Sequence, residues 1–116
     1  MRIGVTGGRD YMKVNVVREA ITAYVPKTAT LVHGAARGAD TLCFQIAKRL
    51  GIQCEAHPAH WEAHGKAAGP IRNQEMVDSG LDLLLAFPGG SGTADMVRRA
   101  KLKNVKVVFF DDQTNN

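Results

Sequence analysis

Short apolar runs alternate along this chain with segments in which apolar residues recur every three or four positions. The apolar runs predict five strands: Arg2–Thr6, Thr30–His33, Ile52–His57, Leu81–Phe87 and Val105–Phe110. The helical spacing predicts four helices: Val14–Tyr24 before Pro26, Asp40–Leu50 before Gly51, Pro70–Gly80, and a last helix that starts in the segment 89–93 and ends near Leu102. The regular alternation indicates an α/β chain.

This alternation predicts one Rossmann-like, doubly wound domain of about five parallel strands, with right-handed crossovers and helices on both faces. We expect the domain to span residues 1–110 and the polar residues 111–116 to form a C-terminal tail. The almost continuously apolar run 81–87 is typical of a strand buried on both faces, which places it at the centre of the sheet. The segment 58–70 is predicted to be a long loop.

Composition narrows the class of protein. The 116 residues leave room for one core, and no apolar run approaches the roughly 20 residues that a membrane span needs. Cys43 and Cys54 lack CxxC spacing, which argues against a sulfur-ligated zinc site and favours a reducing, cytoplasmic setting. The net charge of +4 suits an anionic ligand, but the basic residues are scattered and form no block.

Four segments with unusual residues each follow the end of a predicted strand. They are TGGRD (6–10), GAARGAD (34–40), the stretch 57–73 and PGGSGT (88–93). In an open parallel sheet the carboxyl ends of the strands meet at one edge, and ligands bind there where the strand order reverses. The sequence therefore predicts a ligand site built from these loops.

PGGSGT enters a predicted helix. Its glycines would let a ligand approach the backbone, and free N–H groups at a helix start attract anions. A glycine turn with an ordinary helix cap is the plainer alternative. Three glycines in four positions exceed what a cap requires, so phosphate or ribose binding is favoured. Neither this loop nor TGGRD matches the Walker pattern or GxGxxG.

Charged residues in the other loops each have two interpretations. Arg9 and Arg37 are either phosphate ligands or exposed turn residues, and Asp40 either caps a helix or holds a ribose hydroxyl. Arg72 and Glu75 form either an i,i+3 ion pair or a functional pair, with Glu75 as general acid or base and Arg72 holding an anionic substrate.

The stretch 57–73 also holds three histidines and the single tryptophan. The histidines lack an HExxH arrangement, so no metal is predicted, and nothing calls for a cofactor. Trp61 either stacks on a base or fills the core.

Several segments together resemble a known family. GGRD, HGAARGAD, PAHWEAHGKAAGPIRNQEM and FPGGSGTADMVRRA are similar to the YspA-like family of the SLOG superfamily, over nearly the whole chain from Gly4 to Val108. The resemblance implies a Rossmann-like fold, a nucleotide or nucleotide-derived ligand, and a homo-oligomer.

Two better understood groups share parts of the pattern. The lonely-guy phosphoribohydrolases, also called lysine decarboxylase-like, cleave the N-glycosidic bond of nucleoside monophosphates and carry PGGxGTxxE. This chain resembles them through PGGSGT, Arg72 and Met76, but Met96 stands where their catalytic glutamate lies, and Asp95 precedes it. HGAARGADTLCFQIA resembles the DprA-type domain, which implies single-stranded DNA binding; few aromatic residues make that alternative less favoured.

The sequence thus predicts a nucleotide sensor or nucleotide-processing protein. The candidate catalytic residues are Glu75, Arg72 and Asp95. The candidate ligand-binding residues are Thr6, Gly7, Gly8, Arg9, Gly34, Arg37, Gly38, Asp40, Trp61, Lys66, Asn73, Pro88, Gly89, Gly90, Ser91, Gly92 and Thr93. The alternative functions are N-glycosidic hydrolysis of nucleoside monophosphates and single-stranded DNA binding.

Overall fold

The computed structural model describes residues 1–110 and confirms the Rossmann-like α/β architecture. The predicted tail, 111–116, lies outside the described residues. The strands are β1 Arg2–Thr6, β2 Thr30–His33, β3 Gln53–Ala56, β4 Leu83–Ala86 and β5 Lys106–Phe109. The helices are α1 Val14–Tyr24, α2 Ala39–Arg49, α3 Trp61–His64, α4 Ala68–Asp78 and α5 Ser91–Leu102, with a 3₁₀ turn at Gly65–Ala67.

All five strands pair in parallel, in the order β3-β2-β1-β4-β5. The strand order reverses between β1 and β4, which is where such sheets bind ligands. Every residue of β4 is buried, as expected, but β1 holds the central position and β4 lies beside it. The prediction of a central β4 was wrong because strand order follows the crossover connections, and a strand next to the centre is covered on both faces as well.

Apolar side chains pack on both faces of the sheet. Ile3 and Leu85 join α1 and α2 in one cluster, and Val32 and Leu84 join α4 and α5 in the other. Alternate residues of each strand point to opposite faces, so both clusters draw on the same strands. The two layers of helices hold the carboxyl ends of the strands at one open edge. None of the helices in residues 1–110 is long and apolar enough to cross a membrane.

The segment 58–70 is not the loop that the sequence predicted. It contains α3, the 3₁₀ turn and the first turn of α4. No residue of α3 is buried, so its sequence carries no apolar stripe by which a helix could be recognised. Gly65, with φ of 55°, breaks the helical path between α3 and the next turn.

Candidate functional site

A cavity of about 580 Å³ opens between the carboxyl ends of β1 and β4. Its walls come from the end of β1, from the β1 and β2 loops, from α3 and the 3₁₀ turn, from one face of α4, and from the start of α5. Most of the predicted site residues line it: Thr6, Gly7, Gly8, Arg9, Gly34, Asp40, Trp61, Lys66, Arg72, Asn73, Gly90, Ser91, Gly92, Thr93 and Asp95.

Glu75 is not among the residues that line the cavity. On α4 the cavity is lined by Gly69, Pro70, Arg72, Asn73 and Met76, which follow the i,i+3 and i,i+4 spacing of one helix face. Glu75 precedes Met76 by one residue and is turned about 100° from it, so it is exposed in a separate surface groove. The structure therefore does not place the predicted acid or base where a ligand in this cavity could meet it.

Arg37, Gly38, Pro88 and Gly89 also lie outside the cavity lining. Pro88 accepts a hydrogen bond from the amide of Gly8 at 2.8 Å, which ties the β4 loop to the β1 loop. A side chain on Gly38, whose φ is 77°, would run into the backbone of Gly8 and Arg9. These glycines and Pro88 let the loops pack closely, a role that the glycine pattern alone does not distinguish from phosphate binding.

Arg72 reaches from α4 across the β2 loop. Its Nη1 donates to the carbonyl of Gly34 at 2.5 Å, and its Nε donates to Oδ1 of Asn73 at 3.0 Å. A side chain on Gly34 would displace this guanidinium, which lies where the Cβ would be. Burial lowers the pKa of Arg72, although an arginine keeps its charge near neutral pH. Its Nη2 has no partner within residues 1–110, so it can donate to a ligand.

Asp40 approaches the same peptide from the other side. Its Oδ2 accepts the amide hydrogens of Gly34 at 2.9 Å and Ala36 at 3.4 Å, so it stabilises the β2 loop. The residue is only 6% exposed, and its Oδ1 has no hydrogen-bond partner in the described chain. Burial raises the pKa of Asp40 to about 6, against the opposing effects of the Gly34 amide and the Arg72 charge.

Asp95 is held by an extensive network. Asn73, itself buried, donates its Nδ2 to Oδ2 of Asp95 at 3.0 Å and to the carbonyl of Gly92 at 3.3 Å. Arg98 and Arg99 donate to Asp95 at 2.6 and 2.8 Å. Burial alone would raise the pKa of Asp95, but the hydrogen bonds from Arg99, Asn73 and Arg98 outweigh it and lower the pKa. Asp95 therefore stays ionised, with both oxygens engaged.

The first turn of α5 forms another wall of the cavity. The amide of Ala94 donates to the carbonyl of Gly90 at 3.1 Å as the first bond of the helix, so the amides of residues 91–93 have no helical partner. A Cβ added at Gly90 or Gly92 would meet only open space. Exposed amides and the positive end of the helix dipole make this turn suitable for an anion.

Trp61 stands at the rim of the cavity. The residue is 47% exposed, and the guanidinium of Arg9 lies 5.2 Å from the ring centroid. The structure therefore does not support the alternative that Trp61 fills the core. An exposed ring with an arginine beside it is a surface on which a base can stack.

Sequence reasoning missed the apolar part of the wall. Met76 and Met96 are almost fully buried, and both line the cavity beside Val5. The face of α4 that holds Arg72 and Met76 was visible in the sequence as i,i+4 spacing. No group of three or more His, Cys, Asp or Glu side chains in residues 1–110 is placed to hold a metal ion.

Comparison with known proteins identifies the family. The sequence profile described as the YspA, cpYpsA-related SLOG family matches residues 1–64. The Gene 61 protein of Mycobacterium phage D29 is 37% identical over 122 aligned positions, which cover 97% of this chain and 98% of that protein. The chain belongs to this SLOG family.

Structural comparison supports the Rossmann-like fold. The X-ray structure of TM1055, a structural genomics target, superposes with a TM-score of 0.75 at 16% identity, over 91% of this chain and 71% of that one. The region matched by the SLOG profile ends at His64 and so includes the β1 and β2 loops and Trp61. Arg72, Asn73 and the first turn of α5 lie beyond it, so the cavity combines residues from inside and outside the matched region.

Proposed function

We propose that this SLOG-family protein binds a nucleotide or nucleotide-derived ligand in the cavity between β1 and β4. One observation carries the proposal: the free amides of the α5 first turn, the unpaired Nη2 of Arg72 and the exposed ring of Trp61 all border one cavity. Amides and a guanidinium recognise phosphate, and an aromatic face accepts a base.

The chemistry of each wall assigns a part of the ligand to it. The phosphate lies against the amides of residues 91–93, with Arg72 and Lys66 supplying positive charge. The free Oδ1 of Asp40 accepts a hydrogen bond from a ribose hydroxyl. The base stacks on Trp61. Asp95 adds little repulsion because Arg98 and Arg99 pair with it.

The same contacts favour a sensor over an enzyme. Asp95 is held as a carboxylate by three side chains, Met96 has no group that can transfer a proton, and Glu75 faces another groove. A ligand in the cavity therefore meets Asp95 only as an ionised carboxylate whose two oxygens are already bonded, and it does not meet Glu75.

Asp40 supports hydrolysis of an N-glycosidic bond as the second candidate function. Its carboxyl lines the cavity, has one free oxygen, and has a pKa of about 6, where acid and base forms are both populated near neutral pH. In that reaction water adds to the anomeric carbon as the bond to the base breaks, and Asp40 takes up the proton that the water releases. The departing base keeps the bonding electron pair and takes a proton from solvent.

The test of binding uses Gly92→Asp. The variant places a carboxylate on the α5 first turn, where its side chain enters open space and its charge favours the helix start, so the fold is retained. Native mass spectrometry and calorimetry with AMP, ADP-ribose, NAD and a cyclic dinucleotide measure binding. We expect Gly92→Asp to weaken the bound nucleotide by about 100-fold while thermal stability stays the same or rises.

Ala94→Asp is the matched control. It adds the same charge to the same helix end but at an exposed position outside the cavity, so binding should change by only about threefold. Equal losses in the two variants, or no binding of any nucleotide to the natural chain, would contradict the proposal. Prolonged incubation separates the two functions: bound nucleotide that persists indicates a sensor, and release of free base that Asp40→Asn abolishes indicates the hydrolase.

A further inference from the structure

A second recess of about 400 Å³ adjoins the cavity. Arg9, Trp61 and Arg72 line both spaces and form a common wall between them. The far side of the second recess is formed by Arg37 and by the segment 58–59 after β3. Each space is within the range of about 300–1,000 Å³ that small-molecule sites occupy.

The two spaces differ in charge. The main cavity includes two carboxylates, Asp40 and Asp95, as well as its basic residues. Among the described residues, the second recess is lined by three arginines, Arg9, Arg37 and Arg72, and by no acidic side chain. Asp40 and Glu75 offset part of the charge of Arg72 from outside the recess, but neither lines it. The recess therefore presents net positive charge that attracts an anion.

The floor of the second recess is held in place before any ligand arrives. Ala35 has φ of 57°, an unusual value for a residue with a side chain, and its amide donates to Nδ1 of His33 at 3.0 Å. The hydroxyl of Thr41 donates to the carbonyl of Ala36 at 2.8 Å. Asp40 and Arg72 fix Gly34 at its two ends. A prearranged floor lowers the entropy lost on binding.

The geometry points to a ligand with two separated anionic groups, one in each space. This inference rests on the proposed function and makes it more specific: the phosphate of one nucleotide unit lies at the α5 first turn, and the phosphate of a second unit lies among Arg9, Arg37 and Arg72. Trp61, in the common wall, stacks on the base between them. The ligand class is therefore a dinucleotide rather than a mononucleotide.

The experiment compares AMP with the 5′-phosphorylated dinucleotide pApA, and GMP with pGpG, by calorimetry on the full chain. The readout is the ratio of the mononucleotide Kd to the dinucleotide Kd. We expect a ratio of at least about 10 in the natural chain, and a ratio near 1 in Arg37→Ala, because Arg37 lines only the second recess. Arg49→Ala removes the same charge at the C-terminal end of α2, away from the loop that holds Arg37, and should keep the ratio of the natural chain.

The possible outcomes separate this inference from the proposed function. Mononucleotide binding with a ratio near 1 in the natural chain, or equal ratios in Arg37→Ala and Arg49→Ala, would overturn the dinucleotide inference and leave the proposed function standing. Failure of all four probes to bind would overturn both. A ten-nucleotide single strand that binds far more tightly than pApA would also overturn the inference, in favour of a strand-binding protein.

Discussion

Two arginine–carboxylate pairs in this molecule are built in opposite ways. Arg2 donates two hydrogen bonds of 2.9 and 2.7 Å to Glu55, and it donates two more to the carbonyl of Gly80 and the hydroxyl of Ser79, so that each of its three nitrogens has a partner. His57 contacts the same carboxylate at 2.6 Å. The hydrogen-bonding groups of Arg2 and Glu55 are therefore bonded within the protein, and the pair connects β1, β3 and the end of α4.

Arg72 and Asp40 do not grip each other. Both bind the peptide of Gly34, Arg72 at its carbonyl and Asp40 at its amide, and each keeps a polar atom without a partner in residues 1–110. The shifts in pKa express the contrast: Arg2 and His57 lower the pKa of Glu55 to about 2, whereas burial raises that of Asp40 to about 6. Arg72 and Asp40 keep unpaired polar atoms beside the cavity and can therefore bind a ligand. Arg2 and Glu55 bind each other and stabilise the fold.

Removal of each arginine is the sharpest test of this contrast. Arg72→Ala should weaken nucleotide binding by about 100-fold, because a charged donor to the ligand is lost. Arg2→Ala should leave binding unchanged and lower the free energy of unfolding by about 1 kcal/mol, as expected for a partly exposed pair. Calorimetry and urea unfolding measure the two effects. A similar loss of binding in both variants would remove the distinction between the pairs.

The pH dependence of stability should differ in sign between the two carboxylates. The folded-state pKa of Asp40 is about 6, above its usual 3.8, so its charge costs stability progressively as pH rises through this interval. Asp40→Asn removes this cost. We expect the free energy of unfolding of the variant, relative to the natural chain, to rise by about 3 kcal/mol from pH 3.5 to pH 7. Urea unfolding across this range gives the difference.

Glu55→Gln provides the comparison of opposite sign. The pKa of Glu55 is lowered from 4.5, so its charge stabilises the fold above pH 4.5 and that stability is lost as pH falls toward about 2. The variant should be less stable than the natural chain at pH 7, and the gap should close in acid. Solvent screens this partly exposed pair, so the gap should be below about 1 kcal/mol. Parallel pH profiles for the two variants would contradict the contrast.

Glu75→Gln should have the smallest effect. Glu75 is exposed outside the cavity, so the change should leave nucleotide binding, and any release of base, within about twofold of the natural chain. Binding isotherms and a base-release assay check this. A tenfold loss would mean that Glu75 reaches the ligand, and would restore the functional pair with Arg72 that was one of the two interpretations of the sequence.

The fold was largely predictable because glycine and proline mark most element ends and because β4 carries an unmistakable apolar run. The short helix α3 was not predictable, since it buries no residue. The central position of β1 was not predicted, because an apolar sequence indicates that a strand is buried but does not indicate its place in the strand order. The loops around the cavity were predictable for a different reason: parallel strands bring their carboxyl ends to one edge.

Which side chains enter the cavity could not be predicted from residue spacing, because tertiary contacts decide it. Arg72 and Glu75 are three residues apart, but only the position of α4 against the β2 loop decides which of them enters the cavity. The contacts of Arg98 and Arg99 with Asp95 are at i,i+3 and i,i+4 spacing and could have been anticipated from the sequence. The role of Gly34 could not, because it is set by a side chain 38 residues away.

The fluorescence of Trp61 can report on the occupancy of the candidate site. Trp61 is the single tryptophan of the chain and is nearly half exposed. It lies in the common wall of the cavity and the second recess. Any molecule that covers the ring changes the polarity around it, and with it the wavelength and yield of its emission. Intrinsic fluorescence therefore arises from the candidate site with no competing indole signal, so occupancy can be followed by titration without a label.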